Sequence, residues 1–165
     1  MDSTESPCGN EFDAAFDRNF SLAGFIVNRF LVHHLLRMAR QTNGDFESLV
    51  IWSSLALQNT ASLLGPGARP LTPLQPDGTF PDALLRANGL RASDLAQITG
   101  IPRETVRRKL ERLMTSGRVK RHDDGRWHVC AAAMTAEMRD FMRETARNFC
   151  ETAHLLQDAM KNPGA

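Results

Sequence analysis

The stretch from Leu90 to Cys130 constrains the fold most, because turn-forming residues divide it into two short helices and a hairpin. Ser93 is placed to cap a helix from Asp94 to Thr99, whose Leu95, Ala96 and Ile98 face inward. Gly100 supplies the left-handed residue that ends this helix, and Ile101 plugs the turn into the core. Pro102 then falls in the first turn of a second helix, where its missing N–H does no harm. That helix runs to about Thr115 and buries Val106, Leu110, Leu113 and Met114 at helical spacing, with Gly117 as its stop. Arg118–His122 and Arg126–Cys130 read as strands joined at Asp123-Asp124-Gly125, since Asp-Gly between strand-like runs is a strong hairpin signal. Val119, Trp127 and Val129 pack inward, which leaves Lys120, Arg121, His122 and Arg126 toward the tip.

Charge singles out the same segment. Residues 86–128 hold 11 Lys/Arg against 5 Asp/Glu, a net of +6, whereas the remainder holds 9 against 14, a net of −5. A basic module inside an acidic chain points to a polyanionic partner. The second helix turns Arg103, Glu104, Arg107, Arg108 and Arg112 outward, with Lys109 nearby. Two helices joined by a tight turn and followed by a hairpin have the layout of a winged helix-turn-helix. In that arrangement the N-terminal turns of the second helix enter the major groove. Arginine donates two parallel hydrogen bonds to guanine, and glutamate accepts one from cytosine.

The run Ile101-Pro-Arg-Glu-Thr-Val-Arg-Arg-Lys-Leu resembles the recognition helix of the cyclic-AMP receptor family, which has an R-E-T-V-x-R core. The resemblance implies that Arg103, Glu104 and Arg108 read bases. Thr105, Arg107, Lys109, Arg112, Lys120, Arg121, His122 and Arg126 would then hold the DNA backbone, the last four from the wing. About forty residues are covered; the first ninety look helical, where that family has a β-roll nucleotide domain, so cyclic-nucleotide binding is not implied. The order of helices, winged module and long final helix resembles MarR-type regulators, which dimerise through their terminal helices. Together these resemblances imply a bacterial, cytoplasmic, nucleoid-associated transcription regulator that binds double-stranded DNA as a homodimer.

The expected fold is mainly α: a winged helix-turn-helix over residues 82–130, flanked by N-terminal helices and a long C-terminal helix. Residues 1–11 read as a disordered tail, polar and acidic, with no secretory signal beginning there. Phe12, Phe16 and Phe20 open a helical pattern to about Arg40 that Ser21 could restart after a kink. Asn43-Gly44 marks a turn, and Asp45 is a good cap for a helix from Phe46 to Leu64 with Leu49, Trp52, Ala56, Asn59 and Leu63 on one face. These helices, residues 12–64, are apolar nearly all round and call for covering by a second subunit. Charged residues and histidines interrupt Leu22–Leu36, so it reads as a buried helix and not a membrane span. Residues 65–81 hold five of the eight prolines and read as an extended connection leading to a short helix, Pro81–Ala87. Residues 131–165 carry the final helix, Ala136 to about Lys161, capped by Thr135 and striped with apolar residues, Arg139, Arg143 and Arg147 marking its wet face.

Several chemistries find little footing. The three cysteines, Cys8, Cys130 and Cys150, form no CxxC and fit a reducing compartment. Cys150 and His154 have ligand spacing but no third partner, His128 and Cys130 share a strand face, and the adjacent His33 and His34 cannot face one metal together. No metal or cofactor is therefore expected. No nucleophile–base–acid set, glycine-rich phosphate loop or paired-carboxylate motif stands out, so a binding protein is expected and not an enzyme. Two further readings stay open: a winged helix serving as a protein-interaction module, and a ligand-gated regulator with a small-molecule effector among its N-terminal helices.

Overall fold

A computed structural model describes residues 7–161. The chain is mainly helical, with seven α-helices and one two-stranded antiparallel sheet among the described residues. It forms two compact bodies, one made of Ala39–Arg139 and the other of the chain on either side.

In the second of these bodies, α1 (Pro7–Arg18) and α2 (Phe20–Gln41) are separated only at Asn19, whose side-chain amide donates to the Ala15 carbonyl at 3.0 Å. The restart therefore falls at Asn19 and not at Ser21, which lies inside α2. The helix already formed at Pro7 shortens the tail expected over residues 1–11; the rest of that expectation lies outside the described residues. Proline at a first helical position has a preset φ, and the aromatic row behind it helps the turn: Phe12 stacks on Phe16, and Phe16 meets Phe20 edge-on. α7 (Ala136–Lys161) has Thr135 as its cap, the hydroxyl accepting from the Met138 N–H at 3.3 Å. From Asp140 onward α7 lies in this body, where Arg37 donates to the Phe141 carbonyl and pairs with Glu144 at 2.8 Å.

The Ala39–Arg139 body holds the core. α3 (Phe46–Ala61) contributes Ile51 and Leu55, α4 (Asp82–Ala87) Leu85, α5 (Ala92–Thr99) Leu95, and α6 (Arg103–Thr115) Val106, Leu110 and Leu113. The hairpin of β1 (Val119–Arg121) and β2 (Trp127–Val129) adds Val119, Trp127 and Val129. Helix α3 thus belongs with the hairpin and not with the N-terminal helices; the boundary lies at residue 38 and not between 64 and 82. The reason is Asn59, fully buried, which accepts from the Val129 N–H at 2.9 Å and donates to the Asn88 carbonyl at 2.7 Å. A buried amide satisfied on both sides fixes α3 against β2.

Local signals hold closely around α5 and α6. Gly100 ends α5 at φ +71°, a conformation that side-chain-bearing residues rarely adopt. Ser93 is not the cap of α5: the helix starts at Ala92, and the Asp94 carboxylate reaches back to the Arg91 N–H at 2.9 Å. Pro102 stands just before α6. Ile98 and Met114 are exposed and not buried: Met114 lies about 100° round α6 from Leu113, which packs, and Ile98 about 60° round α5 from the buried Leu95.

Asp45 caps α3, accepting from the Ser48 N–H at 3.1 Å, and also ties α3 to α6 through a 2.6 Å ion pair with Lys109. Partial burial pushes the Asp45 carboxyl up, but the Lys109 ammonium and the Ser48 N–H and hydroxyl outweigh it and hold it at about 2, below the ordinary 3.8. The folded state therefore favours the ionised form; the resulting stability is full above the unfolded value and is lost as pH falls toward about 2. Lys109→Met should lower the unfolding free energy at neutral pH by about 1–3 kcal/mol. Acid titration of the variant, followed by circular dichroism, should show a shallower loss of stability below about pH 4 than the parent chain.

Candidate nucleic-acid interface

Helix α6 is two-sided. Val106, Lys109, Leu110 and Leu113 are buried, spaced as one helical face, and the other side carries Arg103, Glu104, Arg107, Arg108 and Arg112, all exposed. Arg103, Arg108 and Arg112 make no ion pair among the described residues. Arg107 is differently placed: its guanidinium grips Glu104 through two hydrogen bonds, of 2.5 and 3.0 Å, and also bonds Glu111. The Arg107 hydrogen bonds outweigh the slight desolvation of the carboxyl and hold Glu104 below its usual range. Thr105 is half-buried.

Lys109 leaves the expected contact set. Its side chain is 10% exposed and its ammonium is committed to Asp45, with Glu47 at 3.4 Å, because position 109 falls three residues after Val106 on the buried face.

The hairpin is anchored by its neighbour in sequence. Leu90 and Trp127 exchange two backbone hydrogen bonds, of 2.9 and 2.7 Å, which makes Leu90 a third, one-residue strand beside β2. Gly89 permits that approach, since a Cβ there would lie 3.1 Å from the Trp127 carbonyl and 3.2 Å from the Arg126 Cβ. Register pairs Val119 with Val129, Lys120 with His128 and Arg121 with Trp127.

The pleat then sorts the expected wing cations onto different faces. Arg121 shares the face of Trp127 and lies over its ring, 5.5 Å from the centroid. Lys120 is on the other face, 3.7 Å from Asp82 of α4. His122 is not directed to the tip: its Nε2 lies 2.8 Å from Nδ1 of the buried His128, and one ring donates to the other. Burial pushes the His128 imidazole below its ordinary pKa, while Asp82, 3.7 Å from its Nε2, draws it partway back. Arg126 pairs with Asp124 at 3.0 Å.

Between the start of α5, the first two turns of α6 and the hairpin lies a cleft of about 700 Å³. Arg91, Arg103, Arg107 and Arg121 line it together with Glu104, Asp124 and Trp127. The cleft brings together Arg103, Glu104, Arg107 and Arg121 of the expected set; Arg108 and Arg112 stand on α6 outside it, and Lys109, Lys120, His122 and Arg126 do not line it. Arg91 escaped the sequence reading. The signal for it was present, a basic residue directly before a capped helix that opens toward a basic segment, but its direction depends on the Leu90–Trp127 pairing.

Among the described residues no group of three or more His, Cys, Asp or Glu is arranged to hold a metal ion, and no helix is long and apolar enough to cross a membrane. Comparison with protein-family models, with curated proteins and with solved structures matches none of them to this chain.

The two cysteines with described side chains differ in reactivity. Cys130 is buried, and burial pushes its thiol up; Cys150 is exposed. Iodoacetamide followed by peptide mass spectrometry should label Cys150 well before Cys130 in the native chain and both alike in denaturant; equal native rates would contradict the packing around β2.

Proposed function

We propose that this chain is a winged helix-turn-helix protein that binds double-stranded DNA sequence-specifically, as a homodimeric transcription regulator. The observation that carries the reading is α6: one face buried in the core, and an opposite face with three exposed arginines that make no ion pair among the described residues, Arg103, Arg108 and Arg112. The R-E-T-V-x-R resemblance gives Arg103, Glu104 and Arg108 the base edges. Glu104 meets them from within its pair with Arg107, a solvent-exposed pair that water screens and that is readily exchanged. Arg112 and Arg107 serve the backbone.

A second copy is the partner that best suits the other body. Eight large apolar side chains of α2 are exposed, from Val27 at 36% to Phe20 at 64%. Phe20, Val27, Leu31 and Leu35 form one strip along the helix, and Leu22, Phe25, Val32 and Leu36 another. At about half of a large side chain's area each, they present on the order of 700 Å², close to the roughly 800 Å² that each partner contributes to a stable interface.

Selection from a random duplex pool at fixed salt should recover a motif with two related half-sites; recovery of no shared motif, with one protein captured robustly, would favour the protein-interaction reading instead. On the selected site, Arg103→Ala or Arg108→Ala should relax one base-pair position, at a cost of about 1–3 kcal/mol. Arg112→Ala should weaken all sequences alike and flatten the salt dependence by about one unit of slope. Equal losses on cognate and random duplex for both kinds of variant would refute this division of roles.

Light scattering should find the parent chain dimeric, and Leu31→Asp combined with Leu35→Asp monomeric with an unchanged helical spectrum. A monomeric parent at micromolar concentration would remove the dimer from the proposal.

A further inference from the structure

The hairpin of this chain has an acidic tip. Asp123 and Asp124 are exposed there, followed by Gly125, and each of the four basic side chains around them is engaged by another group of the chain. Arg121 lies back over Trp127, Lys120 faces Asp82, His122 meets His128, and Arg126 is paired with Asp124. The Arg126 N–H bonded to Asp124, together with the guanidinium beside it, holds that carboxyl below its usual range, so the tip keeps its negative charge at neutral pH.

Cationic charge is concentrated instead in the cleft between the hairpin and α6. Of its four arginines, Arg107 is held by Glu104 and Glu111, while Arg91, Arg103 and Arg121 make no ion pair among the described residues. Arg121 is preset by its stacking on Trp127, and Arg91 by the Asp94 carboxylate that fixes its backbone N–H. Guanidinium groups converging on a cleft of this size suit a doubly bonded oxyanion such as a backbone phosphate. Glu104 and Asp124 also line the cleft, but each is paired with an arginine, Arg107 or Arg126, whereas Asp123 at the tip makes no ion pair among the described residues. The minor groove carries a strong negative potential, and like charges within a Debye length of about 8 Å repel.

We propose that the duplex backbone seats a phosphate in this cleft against Arg91 and Arg121, and that the Asp123–Asp124 tip stays out of the minor groove. The hairpin then acts as a wall that positions the backbone, and base sequence is read by α6 alone. The inference rests on the duplex-binding reading above and adds to it a residue, Arg91, and a restriction on the wing.

The test uses the full-length chain and a mixed-sequence duplex of about three helical turns, titrated with salt. Arg91→Ala and Arg121→Ala should each reduce the slope of log affinity against log salt by about 0.9, and Arg91→Lys should restore it. Asp123→Asn combined with Asp124→Asn should raise affinity roughly two- to fivefold without changing the motif recovered from a random pool. On an A·T-rich duplex of the same length, a drug that fills the minor groove should leave the affinity unchanged. If the parent chain binds duplex but Arg91→Ala keeps the parental slope, or the tip variant binds more weakly, or the drug displaces the protein, the seat and the excluded tip are both wrong while duplex binding stands. If the parent chain binds no duplex at any salt, the duplex reading falls and this inference with it.

Discussion

The pairing of Leu90 with Trp127 is the contact on which the candidate interface depends. Two backbone hydrogen bonds, of 2.9 and 2.7 Å, join the segment before α5 to the second hairpin strand. The indole they hold in place is 2% exposed and sits in the core with Leu95, Val106 and Leu110. An isolated two-stranded hairpin is marginal in water; here a third strand of one residue and a buried tryptophan supply what it lacks. Once β2 is fixed, the pleat puts Arg121 on the α6 side and Lys120 on the α4 side. Gly89 makes the approach close enough, and any side chain there would press on the Trp127 carbonyl. The cleft is thus a consequence of backbone pairing before it is a consequence of charge.

What was legible in the sequence was what short-range chemistry encodes. Asp45 and Thr135 as caps, Gly100 as a left-handed stop, the extent of α6 and the Asp-Gly hairpin each depend on residues within one or two turns of each other. What was not legible depends on partners far along the chain. Nothing near Asn59 in the sequence marks the Val129 N–H, 70 residues away, as its partner, and that bond is what places α3 with the hairpin. A helix as apolar as α3 has no polar face to orient it, and periodicity cannot say which neighbour covers it. Lys109 illustrates the converse: a lysine in a basic run reads as a solvated cation, yet its position on the Val106–Leu113 face sends it inward, where Asp45 meets it.

The two bodies reach stability by different means. The Ala39–Arg139 body buries eleven apolar residues in one cluster, ten from four helices and a hairpin and Leu63 from just after α3. In the other, the buried apolar residues among those described are three alanines, Ala15, Ala23 and Ala159, and Ile26, while phenylalanines and leucines of α2 remain in solvent. Small residues at a helix contact permit close approach but remove little apolar area from water, about 25 cal/mol for each Å². The large side chains represent most of the hydrophobic free energy available to that body, and an uncovered patch of this size is uncommon on a monomer. Covering these side chains is therefore a matter of folding energetics, which is what favours a second copy in the proposed assembly.

In the proposed duplex complex, affinity and selectivity draw on different residues of α6. Arg107 is shared between Glu104 and Glu111, so one guanidinium of the outward face is largely neutralised before any partner arrives. A helix with every arginine unpaired would gain counterion-release affinity for all duplexes equally, which raises non-specific binding without improving the ratio between sites. Pairing one of them internally lowers that background, and an exposed pair of this kind is weak enough to exchange when a partner arrives. The acidic hairpin tip works in the same direction. It removes a sequence-tolerant minor-groove contact and leaves discrimination to the two arginines, Arg103 and Arg108, that can present both donors of a guanidinium to one guanine. On this view the carboxylates of the interface, Glu104, Glu111, Asp123 and Asp124, do not dilute a basic surface; they determine which of its cations are free to read.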